Sequence, residues 1–96
     1  MKPNLALSMM TMMMKIRFGK SAKKELRELQ KSTRKRIIKA MRKLRNTPRP
    51  PGCKKLKGRD EYRIRVGDYR VLYEIHDDVL IVLVVRVAHR GVVYRE

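Results

Sequence analysis

The sequence predicts an α+β domain in the order β-α-α-β-β-β, with a mostly antiparallel sheet and a two-helix layer on one face. Three observations carry this. Residues 62–75 alternate apolar and polar around Gly67-Asp68, as a hairpin does. Residues 79–87 are apolar at every position except Arg86. Residues 21–45 hold two apolar stripes at helical spacing amid dense positive charge.

The hairpin organises the rest. Tyr62, Ile64 and Val66 point one way, Arg63 and Arg65 the other. Gly67 stands at the first central position of the turn, as a type II′ turn requires. Tyr69, Val71, Tyr73 and Ile75 share one face of the next strand. His76-Asp77-Asp78 makes the next turn, and Val79–Val87 reads as a central strand buried on both faces. With Gly67 and Asp68 as the loop, Val66 faces Tyr69 and Arg65 faces Arg70, with Arg63 diagonal to Arg70. Like charges opposite each other are unfavourable. Three arginines on one sheet face are either a solvated surface or a place for an anion.

Ahead of the hairpin, Met14–Phe18 alternates as a first strand. Ser21 is the expected cap of a helix whose stripe is Ala22, Leu26 and Leu29. Ser32 or Thr33 is expected to cap a second, with Ile37, Ile38, Met41 and Leu44 inward. Asn46-Thr47-Pro48 stops it. Arg49–Gly58 reads as a basic loop stiffened by Pro50 and Pro51, with Leu56 its anchor. Residues 1–13 hold a single charge and no helical period. They are read as a disordered extension, a cloning remnant or an overcalled start. Residues 14–96 are read as one domain.

The 96 residues carry a formal charge of +17. Residues 15–59 hold 19 Lys and Arg against two acids, whereas residues 60–96 hold six Arg against seven acids. A polycationic half joined to a near-neutral sheet favours nucleic acid, or an acidic protein, as partner. No apolar run is long enough to span a bilayer, and a membrane partner is not expected. One cysteine, Cys53, excludes an internal disulfide and any Cys-based zinc site; it reads as a small loop residue. A reducing cytoplasm fits this composition. No Gly-rich phosphate loop or metal-ligand spacing is present, so neither metal nor cofactor is expected. His76 reads as a plain turn residue.

What remains is Arg63, Arg65, Arg70, His89, Arg90 and Tyr94. Arginine offers a permanently charged fork that fits phosphate. Histidine exchanges a proton near neutral pH. Tyrosine can stack on a base or orient a hydroxyl. Such a set can stabilise attack by an RNA 2′-hydroxyl on its own phosphate without a metal. Lys24, Arg34, Lys35, Lys39, Arg42, Lys54 and Lys55 are the expected RNA- or ribosome-binding positions.

The element order, the segment L-K-G-R-D-E-Y-R-I-R-V-G-D-Y-R-V-L-Y at 56–73 and the terminal H-R-x-x-x-Y-R at 89–95 resemble the RelE/ParE toxin superfamily over about residues 14–96. The resemblance implies a microbial RNase-like fold and a RelE-type toxin that enters the ribosomal A site and cleaves mRNA. It also implies a RelB-like antitoxin, in a higher-order complex that binds its operator DNA through that antitoxin. The family's strand lysines fall on Arg63 and Arg65, its hairpin arginine on Arg70, its late arginine on Arg90 and its tyrosine on Tyr94. Two departures matter. Arginine cannot readily deprotonate, which leaves either His89 as base or a reaction driven by positioning and charge. The catalytic glutamate of some relatives would fall before Tyr62, where this chain has lysines. A ParE-type gyrase inhibitor and a non-catalytic RNA-binding protein are the competing readings.

Overall fold

The computed structural model describes residues 13–56 and 60–91. The expected extension at 1–13 lies almost wholly outside them. The elements are β1 (Lys15–Phe18), α1 (Lys20–Arg27), α2 (Lys31–Lys43), β2 (Lys54–Lys55), β3 (Glu61–Val66), β4 (Tyr69–His76) and β5 (Ile81–His89). The sheet order is β1-β5-β4-β3-β2. β1 runs parallel to β5, and all other pairs are antiparallel.

The hairpin forms as its alternation predicts. Arg65 pairs with Arg70 and Val66 with Tyr69. Gly67 has φ 60° while Asp68 stays on the negative side, the type II′ combination. Tyr62, Val71, Tyr73, Ile75, Val82, Val84 and Val87 pack with Ala22, Leu26, Ile37, Met41 and Leu44 in one core. The helices thus cover a single sheet face. Met14 is buried in that core, and Leu56 is buried as expected of an anchor.

Four local expectations are corrected. The loop from Arg49 contains a two-residue edge strand, β2, and its exposed lysines discourage further pairing at that edge. The helices begin one residue before Ser21 and Ser32. Their caps are Gly19 and Gln30, neither using a side-chain bond. An added Cβ at Gly19 would lie 3.3 Å from the Val84 carbonyl oxygen, so the close approach of α1 to β5 selects glycine over a serine cap. Finally, β5 starts at Ile81. Val79 belongs to the turn and is 58% exposed. Leu80 closes that turn at φ 56°, and its carbonyl accepts the Lys15 N–H at 2.8 Å. Pairing with β1 sets where β5 begins, and offsets a strain of about 1–2 kcal/mol at a non-glycine residue.

β1 pairs β5 only as far as Val84. Beyond it, the Val87 N–H has no strand to bond. Glu25 of α1 supplies the acceptor: Oε1 takes the Val87 N–H at 2.7 Å, and Oε2 takes Arg86 Nε at 2.9 Å. Glu25→Ala would orphan a backbone donor and remove a charged partner. It is expected to destabilise by about 2–3 kcal/mol, read from urea midpoints at unchanged m-value. A loss below roughly 0.5 kcal/mol would show that the bridge contributes little.

Candidate active site and basic surface

Strand parity places the candidate residues. On β3 and β4, Tyr62, Ile64, Val66, Tyr69, Val71 and Tyr73 face the helices. Arg63, Arg65 and Arg70 therefore share the opposite face, where Leu72 and Ala88 are also buried. Lys54, paired with Arg63, joins them, while Lys55 pairs with Tyr62 on the other parity. The arginines occupy the hairpin end of this face. Farther along, Glu61 pairs with Glu74, and Glu74 bonds His76 at 2.8 Å. This face thus runs from positive at the hairpin to acidic at its other end.

Arg70 is the most constrained of the three. It is half-buried, and its Nε is buried without a hydrogen-bond partner among the described residues. A buried donor left unpaired costs about 1–3 kcal/mol.

A single irregularity in β5 decides which late residues join the arginines. Tyr73 pairs with Val84 but Leu72 pairs with Arg86, so Val85 is an extra residue, a bulge. Val82 and Val84 face the core before it, and Val87 does so after it. The bulge shifts the alternation by one. Ala88 then sits opposite Arg70, and His89 sits opposite Tyr69. The next residue, Arg90, donates its N–H to the Asp68 carbonyl at 2.7 Å, continuing the register. By parity Arg90 falls on the arginine face. Its side chain is 70% exposed, with Asp68 Oδ1 3.9 Å from Nε.

His89 falls on the helix face. Its ring meets Tyr69 edge-on, with centroids 5.4 Å apart. The structure therefore brings Arg63, Arg65, Arg70 and Arg90 to one side and leaves His89 on the other. Tyr94 lies outside the described residues.

The helical layer carries the second basic surface, across the sheet from the arginines. Lys35, Lys39 and Arg42 are exposed at i, i+4 and i+7, away from the buried Ile37, Met41 and Leu44. Lys24 is exposed on α1 beside Glu25 and Glu28, which dilutes its charge. Arg34 is half-buried and donates from Nη1 to the Leu26 and Leu29 carbonyls at 3.5 Å. The two surfaces meet at the hairpin tip, where Arg36 of α2 lies within about van der Waals reach of Gly67.

One further cluster fixes the loop after α2. Tyr73, fully buried, donates its hydroxyl to the Pro48 carbonyl at 2.7 Å and stacks on Tyr62 with centroids 5.9 Å apart. Arg49 lies over the Tyr62 ring, donates to its hydroxyl at 3.0 Å and pairs with Asp77 at 2.9 Å. That hydrogen bond holds the Asp77 carboxyl below the usual carboxylate range.

With this geometry in view, comparison with known proteins is decisive. Residues 16–94 match the model of the family described as the ParE toxin of the type II toxin–antitoxin system, parDE. The chain belongs to the RelE/ParE toxin superfamily. It is a RelE-like toxin of a toxin–antitoxin system. A protein of Methanocaldococcus jannaschii named "Putative toxin RelE1" is 31% identical over 84 residues, covering 83% of this chain and 93% of that one. Two solved complexes share the toxin's fold. The archaeal RelE–RelB complex from Pyrococcus horikoshii has a TM-score of 0.75 at 28% identity, over 84% of this chain and 99% of that one. The intact RelBE complex of E. coli has a TM-score of 0.72 at 28% identity, over 85% and 99%.

Proposed function

We propose that this RelE/ParE toxin is an endoribonuclease that cleaves mRNA in the ribosomal A site. The observation that carries the reading is the arginine face itself: strand register sets Arg63, Arg65, Arg70 and Arg90 on one side of the sheet. Arg63, Arg65, Arg70 and Arg90 surround the scissile phosphate and stabilise its charge as the adjacent 2′-oxygen, losing its proton to water, attacks phosphorus; the P–O5′ bond breaks, leaving a 2′,3′-cyclic phosphate and a 5′-oxygen that takes a proton from water. None of them serves as a base. Rate enhancement comes from positioning and fixed charge, with Tyr94 completing the site. The chemistry asks for no metal.

The α2 stripe binds the ribosome. Changing Lys35, Lys39 and Arg42 together to Gln is expected to weaken ribosome binding. It should flatten the log–log salt slope by about 2–3, at roughly 0.7–0.9 for each phosphate no longer neutralised. Thermal stability should be unchanged, since all three side chains are exposed. An unaltered salt slope would remove α2 from the interface. Arg34 is left in place because it is half-buried and its Nη1 lies 3.5 Å from the Leu26 and Leu29 carbonyls.

The chain's partner is a RelB-like antitoxin, as in the P. horikoshii and E. coli complexes. An acidic or amphipathic segment that wraps the helices or adds to a sheet edge fits the charge of residues 15–59. The assembled hetero-oligomer binds operator DNA through the antitoxin, and the toxin acts in the cytoplasm. The description of the matching family favours a second reading, a ParE-type inhibitor of DNA gyrase. Primer extension on mRNA from a translation reaction separates them. A-site cuts support cleavage; gyrase inhibition without cuts supports the second reading.

A further inference from the structure

We propose that His89 is a positioning residue, not a base: its Nδ1 fixes the backbone from which Arg90 reaches the arginine face. The inference rests on the cleavage reading for its rate measurement alone.

Three observations support it. The Val85 bulge sends His89 to the face opposite Arg63, Arg65 and Arg70, so its ring is aimed away from the phosphate they would hold. Its Nδ1 accepts the Gly91 N–H at 3.3 Å. A neutral ring engaged this way keeps its proton on Nε2. Both nitrogens are then committed, and neither has a lone pair free to take a proton from a 2′-hydroxyl. The edge-on contact with Tyr69, itself packed against the core, holds the ring in that orientation.

The result is a clamp on the chain at Arg90. The N–H of Arg90 is bonded to the Asp68 carbonyl, and the next N–H, of Gly91, is bonded to His89. Consecutive amides on fixed acceptors restrict the torsions that aim the Arg90 side chain. That side chain is largely exposed and, among the described residues, has only the long contact to Asp68 to steer it, so its aim depends on the backbone. The sheet bulge sets its face and His89 sets its direction.

The geometry is that of an Asx-turn, in which a side-chain acceptor bonds the N–H two residues on. Asparagine places Oδ1 where histidine places Nδ1, whereas glutamine places its oxygen near Nε2. The test compares His89→Asn, His89→Gln and His89→Ala by Gly91 amide exchange and by single-turnover mRNA cleavage on the full chain. His89→Asn is expected to keep Gly91 protected and cleavage within about threefold. His89→Gln and His89→Ala should expose Gly91 and lower kcat by about tenfold to 10²-fold with little change in KM, the scale of a misaimed catalytic group. Gly91 exchange unchanged in His89→Ala would overturn the proposal, because the bond from His89 would then not be what protects that amide. Full cleavage by His89→Ala with Gly91 exposed would overturn it too, as would loss of cleavage in His89→Asn with Gly91 still protected, which would put the ring itself in the chemistry. If the wild-type toxin makes no cuts, the cleavage reading fails, and Gly91 exchange still decides whether His89 holds the chain.

Discussion

Arg70→Ala is expected to slow single-turnover mRNA cleavage by about 10²-fold or more, the scale of losing one preorganised charge donor. Its melting temperature should hold or rise slightly. Two terms favour the variant: the like charge opposite Arg65 disappears, and with it a buried donor that has no partner among the described residues. Loss of packing by the arginine stem opposes them. Activity and stability therefore move apart. Arg90→Ala should behave alike in cleavage, with little effect on folding, since its side chain is exposed and its N–H bond to Asp68 is retained. An arginine with a purely structural role would instead lose activity and stability together. A thermal melt beside each cleavage assay makes the distinction.

The second large effect concerns Tyr73, which is fully buried in the core. Tyr73→Ala is expected to cost about 3–5 kcal/mol, as for other fully buried aromatics, a large part of a small domain's total stability. Tyr73→Phe keeps the ring and its stacking on Tyr62 but leaves the Pro48 carbonyl without its donor. About 1–2 kcal/mol should be lost. The phenylalanine variant also isolates a pH effect. Burial pushes the Tyr73 hydroxyl well above the usual tyrosine range, so the folded chain keeps a proton that the unfolded chain gives up. Its contribution is complete below ~pH 10 and is lost as pH rises beyond that. Wild-type stability should fall more steeply than that of Tyr73→Phe across this alkaline window in urea titrations. Parallel curves would show that the hydroxyl titrates freely.

The hairpin and the core faces were legible because two strands with an apolar side leave a period of two, and Gly67-Asp68 fixes their register. β2 was not, since Lys54-Lys55 carries no apolar pattern and owes its strand geometry to pairing with β3 alone. The parallel partnership of β1 with β5 is likewise invisible, because periodicity reports which face is buried and never which strand is adjacent. Glu25 looked like one acid among lysines. Its role depends on β1 ending opposite Val84, a tertiary fact.

The candidate site divides the same way. Arg63, Arg65 and Arg70 follow from the hairpin alternation. The faces of His89 and Arg90 do not follow from periodicity, because residues 79–85 are uniformly apolar and such a run hides a bulge. One extra residue at Val85 exchanges the faces of everything after it. The contacts of Arg34 are hidden for a related cause: a basic residue in a basic helix gives no sign that it reaches back to the carbonyls of the preceding one.

The most direct test of the arginine face is primer extension on mRNA from a translation reaction, with wild-type toxin and Arg70→Ala added at equal ribosome occupancy. Wild type is expected to leave cuts at A-site codons, and Arg70→Ala to bind equally and leave almost none. Equal cutting by both proteins would contradict the account.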